Sequence, residues 1–216
     1  MVIRTAWNVG AGLVHRRLAK GSIKPGMGVL YPAVWRARPG FLDCDINLHL
    51  NNASYLFNME LARWHFCAVT GILDFAVTNR RTFLVASQAI RYRYAIQPFR
   101  PYEIRSQVVY WDDSWAYFLH QFQCPTTGKL YAEGLTRAVV KQGNERVAPE
   151  QLYAELGVSL DPPTKMPAIV EEFLAWDTAS KDSMEAATEV GQIESASRPR
   201  GLWATLTRSM NLPFSS

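Results

Sequence analysis

The chain has 216 residues, a formal net charge of +4, 48% apolar and 19% charged residues, enough apolar material for one folded core, with no run near the roughly 18 apolar residues that a membrane-spanning helix needs. Its three cysteines, Cys44, Cys67 and Cys124, are odd in number and lack metal-ligand spacing, which argues against a disulfide framework or a metal site and for a reducing compartment. No nucleic-acid signature accompanies the modest positive charge, so DNA and RNA are not expected partners.

The amino terminus comes first. From Met1 to Leu42 there is no acidic residue, while Arg4, Arg16, Arg17, Lys20, Lys24, Arg36 and Arg38 are basic, and Ile3, Trp7, Val14 and Leu18 share one face if the segment is helical. Three readings stay open for residues 1–28: a mitochondrial transit peptide, a helix lying on an anionic membrane, or a disordered basic tail. A strand is expected around Val29 to Arg38.

The segment Asp43 to Tyr55 reads DCDINLHLNNASY. If it is extended, Asp45, Asn47 and His49 point the same way, because side chains alternate along a strand. Cys44 then faces away and serves as a small apolar filler. Asn51 and Asn52 favour a helix start, with Asn52 expected as the cap, which also accounts for the Asn52, Ala53, Ser54 sequon without glycosylation. Polar chemistry therefore converges on a helix N-terminus, whose unpaired N–H groups and partial positive charge suit an oxyanion or a polarised carbonyl.

Beyond Asn52, the residues Leu56, Met59, Ala62, Phe66 and Val69 recur at helical spacing, and Gly71 supplies a stop. Glu60 and Arg63 sit three apart as a solvated pair, and His65 reads as a packed or surface histidine. The period then changes to two, and strands are expected at Thr82 to Tyr94, Tyr102 to Trp111, Trp115 to Cys124 and Leu130 to Lys141. Asp112, Asp113 and Ser114 form one turn between them, and Thr126, Thr127 and Gly128 another. Pro162 and Pro163 break the chain, a short helix is expected from Ala168 to Ser180, and the Ser-rich remainder to Ser216 reads as mobile. These elements divide the chain into a basic extension (1–28), an α+β domain (29–148), a helical extension (149–185) and a mobile tail (186–216).

Asp43, Asp45, Asn47, His49, Asn51, Asn52 and Tyr55 match a D-x-D-x-N-x-H-x-N-N-x-x-Y pattern, and in this the chain resembles the hotdog-fold thioesterases, which include the 4-hydroxybenzoyl-CoA and plant acyl-carrier-protein thioesterases. The element order from Val29 to Lys141 is also that of a single hotdog, an antiparallel sheet wrapped around a long central helix. The phrases FLVASQAIRYRY, QPFRPYEIRSQVVYWDDSWAYF and FLAWDTASKDSME are similar to the branch around thioesterase superfamily member six, and extend the likeness to about Glu185. The glycine usual between the Asn and the His is Leu48 in this chain.

The resemblance implies an enzyme that hydrolyses a fatty or other acyl thioester to the free acid and coenzyme A, with the thioester as substrate and no further cofactor or metal. It assigns Asp45 as general base or nucleophile, Asn47 as the group that orients water or the carbonyl, and His49 as a partner of the carboxylate or the loop. Asn51, Asn52 and Tyr55 would position substrate and oxyanion. A homodimer or higher oligomer is implied, since a single hotdog has a shallow acyl site. Arg91, Arg93 and Arg100 are candidates for the phosphates of coenzyme A; equally, Arg91 and Arg93 are the solvent face of an alternating strand. Two other readings stay open: an acyl-CoA-binding or scaffold protein that has lost turnover, and a hotdog enoyl-CoA hydratase. That hydratase spaces its residues D-x-N-P-x-H, against D-x-N-x-H here. An intracellular location, mitochondrial or cytoplasmic and with peripheral membrane contact through the basic N-terminus as an option, is expected rather than secretion.

Overall fold

The computed structural model describes residues 2–19, 21, 23–161 and 163–197. In chain order the elements are α1 (Val2–Leu18), β1 (Ala33–Ala37), a single 3-10 turn (Phe41–Asp43), α2 (Asn52–Thr70), α3 (Ile72–Thr78), β2 (Arg81–Tyr92), β3 (Tyr102–Trp111), β4 (Ala116–Gln123), β5 (Leu130–Gln142), β6 (Glu145–Val147), α4 (Pro149–Glu155) and α5 (Ala168–Ser197). The strands form one antiparallel sheet in the order β1-β3-β4-β5-β2, with β6 paired to β5. Asp112 sets the β3–β4 turn, its Oδ1 accepting from the N–H groups of Ser114 (2.9 Å) and Trp115 (2.8 Å). The next turn closes through the Gly128 N–H on the Cys124 carbonyl at 2.9 Å.

The sheet wraps α2, as expected from the sequence. Tyr55, Met59 and Ala62 of the helix pack with Trp35 and Ala37 of β1, Tyr102 and Ile104 of β3, Phe122 of β4, Tyr131 and Ala132 of β5 and Ile90 of β2. Each large apolar side chain buried this way contributes about 1.5–3 kcal/mol, so this helix is the centre of the fold's stability. Gly71 ends the helix at φ 91°, a left-handed conformation in which a side chain would be strained. The buried face is broader than the expected stripe: Tyr55, Asn58, Leu61 and Ala68 are buried as well, whereas Leu56 is exposed. The reason is that α2 is covered twice, by the sheet and by α1.

That second cover corrects the tail reading of the amino terminus. Residues 2–18 are a helix whose Gly12 lies so close to α2 that an added Cβ would stand 2.7 Å from the Ala68 Cβ. Asn8 is buried beside it and accepts from Trp35 Nε1 at 2.7 Å. The His15 and His65 rings meet with centroids 5.7 Å apart, and Arg4 and Arg16 pair with Asp43 and Asp74. Burial holds the His65 imidazole down to about 4, with the neighbouring His15 adding to the effect.

Arg63 also departs from expectation. It contacts Glu60 at 2.9 Å, but its side chain is largely buried, and Glu60 additionally accepts from Trp64 Nε1 at 2.9 Å. Arg63 is therefore packed under the sheet, while Glu60 keeps its side chain 42% exposed, so the pair is solvated only at its acid end. Deeper still, His120 is fully buried with Nδ1 2.8 Å from Ser106 Oγ, and desolvation lowers its basicity well below that of an ordinary histidine.

The chain divides into two compact units, residues 1–173 and 174–216. Val170 and Phe173, near the start of α5, are buried in the first. In the second, the helix continues past Ser180 to Ser197, supported by a Lys181–Glu185 pair at 3.5 Å and a Thr188 Oγ1 bond to the Met184 carbonyl at 2.8 Å. Residues 186–197 are thus helical rather than a mobile tail, and 198–216 lie outside the described residues. Among the described residues, no helix is long and apolar enough to cross a membrane.

Candidate active site in the loop before α2

The loop that carries Asp45, Asn47 and His49 is a closed turn, not an extended strand. Cys44 and Leu50 form an isolated antiparallel bridge, and residues 45–49 loop between them. The Asp45 N–H donates to the His49 carbonyl (3.0 Å), and the Leu48 N–H to the Asp45 carbonyl (3.1 Å). Asp45 Oδ1 accepts the Asn47 N–H at 2.8 Å, the local bond that lets an Asp start a turn. Alternation therefore does not bring the acid and the imidazole together; turn closure does. Asp45 Oδ2 stands 3.5 Å from His49 Nδ1, both side chains partly exposed, while the same nitrogen lies 3.4 Å from the Leu50 carbonyl. Asn47 is on the outer, exposed side of the turn.

Leu48 adopts φ +54°. This left-handed conformation suits glycine, and in a leucine it costs on the order of 1–2 kcal/mol. The departure noted in the sequence is thus a strained residue between Asn47 and His49, with its side chain 62% exposed.

The turn is held to the helix by its neighbours. The Asn51 N–H donates to the Asp43 carbonyl (2.9 Å), and the Leu50 N–H to the Ile96 carbonyl (2.8 Å). The Asp43 carboxylate accepts from the Gly40 N–H (2.9 Å) and from Arg4 of α1. Asn51, not Asn52, is the helix cap: its Oδ1 accepts the Ala53 N–H at 2.8 Å. The Ser54 and Tyr55 N–H groups donate to the Asn51 carbonyl. Of the first turn of α2, the Asn52 N–H alone is left without an acceptor among the described residues. It is the donor available at the positive end of the helix.

Tyr55 is 3% exposed, its ring against Tyr92 (centroids 5.1 Å) and Phe122 (4.9 Å), and burial pushes its hydroxyl up to about 12. Its ring anchors the first helical turn in the core. A residue assigned only to sheet packing does reach the site: the Tyr92 hydroxyl donates to the Asn52 carbonyl at 3.3 Å. Because side chains alternate along β2, Arg91 lies on the other face from Tyr92, opposite Glu133 of β5, and does not converge on Asp45 within one chain. Arg93 is exposed, with its guanidinium 5.2 Å from the Tyr94 ring. Arg100 is exposed, and the preceding Phe99 donates its N–H to the Pro39 carbonyl at 2.8 Å and packs on Phe41 with centroids 4.8 Å apart.

Cys44 lies in the same loop, in surroundings that disfavour its thiolate. Burial raises its thiol, the carboxylates of Asp43 and Asp45 raise it further, and Sγ points to the Gly40 carbonyl at 3.3 Å. Among the described residues no group of His, Cys, Asp and Glu could hold a metal ion.

Comparison with known proteins gives the fold and the family. Protein THEM6 of Drosophila melanogaster is 33% identical over 103 residues, 47% of this chain and 53% of that protein. The chain spans about half the length of the curated relatives it matches. Among solved structures, the probable thioesterase YbaW of Escherichia coli aligns with a TM-score of 0.53 at 21% identity, over 57% of this chain and 95% of that one. The hypothetical protein SAV2348 of Staphylococcus aureus, solved in complex with CoA, aligns with a TM-score of 0.53 at 10% identity, over 68% and 99%. These likenesses establish the hotdog fold. Residues 39–176, from the strand end before the Asp45 loop to the first turns of α5, match the family described as the Thioesterase-like superfamily, and the chain belongs to it.

Proposed function

We propose that the protein hydrolyses an acyl thioester carried on coenzyme A. The observation that carries this reading is the Asp45 carboxylate, 3.5 Å from His49 in a turn fastened to the N-terminus of α2, where the Asn52 N–H has no acceptor among the described residues. Family membership supports the reaction class, and the coenzyme A bound by SAV2348 supports the carrier.

In this reading the thioester oxygen lies against the Asn52 N–H, whose contribution, by comparison with other oxyanion donors, is about 3–4 kcal/mol. Asp45 takes a proton from water as it attacks the carbonyl carbon, or attacks directly to give a mixed anhydride that water then opens. His49 holds the carboxylate, and Asn47, exposed at the rim, orients water. Thiolate is a good leaving group, so no strong acid is needed. In this reading Arg100, exposed and next to Phe99, takes a coenzyme A phosphate. Among the described residues the sheet edge β2 pairs only with β5 and leaves Leu84 and Val85 exposed, which suits a second copy that deepens the acyl site.

Thiol release from short, long and aromatic acyl-CoAs by the purified full chain tests the proposal. Turnover on one class names the substrate. Tight acyl-CoA binding without release from any of them would overturn hydrolysis and leave an acyl-CoA-binding protein.

A further inference from the structure

The helix α1 is seated on α2 by one face and leaves an apolar face outward. Ile3, Trp7, Val14 and Leu18 fall within about 60° of one another around a helix of 3.6 residues per turn. Ile3 is 85%, Trp7 76% and Leu18 84% exposed. The buried positions, Asn8 and Gly12, lie on the other side of the helix. An amphipathic helix ordinarily buries its apolar stripe and shows its polar face to water; here that orientation is reversed.

We infer that this outward stripe of α1 docks the protein peripherally on an anionic lipid bilayer. Charge decides the occupant. Residues 1–42 contain seven basic residues and no acidic one. Arg4 and Arg16 of the helix are engaged with Asp43 and Asp74, which latches it in place, and Arg36 of β1 is paired with Glu103, while Arg17 borders the stripe and pairs with no carboxylate among the described residues. A second copy meeting this face across a two-fold axis would set like charges against each other. Anionic headgroups would instead pair with them, while the apolar side chains enter the acyl boundary and Trp7 sits at the interface. The latch gives the docked helix a consequence for the site. Asp43, held by Arg4, is adjacent in the chain to Leu42, fully exposed, and lies two residues before Asp45. Docking through α1 would therefore hold the candidate catalytic loop close to the membrane.

The test is sedimentation of the full chain with vesicles of phosphatidylcholine alone and of phosphatidylcholine with phosphatidylserine, independent of any enzymatic activity. The protein is expected to pellet with the anionic vesicles, weakly with the neutral ones, and less as salt rises. Trp7→Ser with Leu18→Ser, and separately Arg17→Glu, should each reduce binding by about tenfold or more, while leaving the thermal melt unchanged because these side chains are exposed. Absence of pelleting with either vesicle, or pelleting unaltered by both variants, would overturn the inference. So would a change from dimer to monomer in the Trp7/Leu18 variant without vesicles, which would assign the face to a second copy.

Discussion

Gly12→Ala sets two effects of opposite sign against each other. In a helix interior, alanine is favoured over glycine by about 1 kcal/mol. At Gly12, however, a Cβ would stand 2.7 Å from the Ala68 Cβ and 2.9 Å from the His65 carbonyl oxygen, against an ordinary carbon separation of about 3.5–4.0 Å. One neighbour is backbone and cannot rotate away, so the helices must part by roughly 1 Å, at an overpacking cost of about 1–3 kcal/mol. Parting them also loosens the Trp35 Nε1 bond to Asn8 Oδ1, worth about 1 kcal/mol. The net expectation is a loss of about 1–3 kcal/mol. Gly10 lies in the same helix with nothing within 4 Å of its Cβ position, so Gly10→Ala should gain close to 1 kcal/mol. Urea denaturation followed by far-ultraviolet circular dichroism reads both, as midpoints moving in opposite directions. Equal stabilisation by the two substitutions would refute the docking of α1 on α2.

Leu48 offers a similar comparison at the loop. Leu48→Gly and Leu48→Ala both remove the exposed side chain, but only glycine relieves φ +54°, so the glycine variant should be more stable by about 0.5–1 kcal/mol, a melting difference of about 1–4 °C; a more stable alanine variant would contradict the strain. His65 gives the fold a pH dependence. Its folded value is about 4, while an unfolded chain takes up the proton near the ordinary value of about 6.5. The unfolded state then binds more protons as pH falls, so this stabilisation is complete above about 6.5 and is lost between there and 4. At about pH 5 the loss is about 2 kcal/mol, in the same direction as that of buried His120. Urea midpoints measured against pH should show the decline, and His65→Gln should flatten part of it; an unchanged slope would place His65 in solvent.

Strong periodicity made most of the fold legible in the sequence. β3 runs from Tyr102 to Trp111 and α2 starts at Asn52 and stops at Gly71, because alternation, a helical stripe and a left-handed stop all point one way there. The short elements α3, α4 and β6 span too few residues to show a period. The docking of α1 was hidden for another reason: its contact surface is Gly12 and Asn8, a small and a polar residue, while the apolar stripe that a sequence reader follows faces outward. At the site, the residue types Asp45, Asn47 and His49 were legible, but their geometry was not. Alternation implied a strand, whereas the Asp45 side chain bonds its own backbone two residues on and closes a turn. The choice of Asn51 over Asn52 as cap turns on one hydrogen bond, to the Ala53 N–H, which two adjacent asparagines leave undecided in sequence. The burial of Tyr55 and of the Arg63 side chain was not legible, because it depends on what covers α2, and that cover comes from elements far away in the chain.

In the proposed reaction Asp45 carries the chemistry. Asp45→Asn keeps the acceptor for the Asn47 N–H and so preserves the turn, while removing the base or nucleophile. Measured as thiol release on the best acyl-CoA, with ligand binding and the thermal melt checked alongside, the account predicts a fall in kcat of about 10²–10⁴-fold with both retained. Turnover equal to that of the unaltered protein would contradict it.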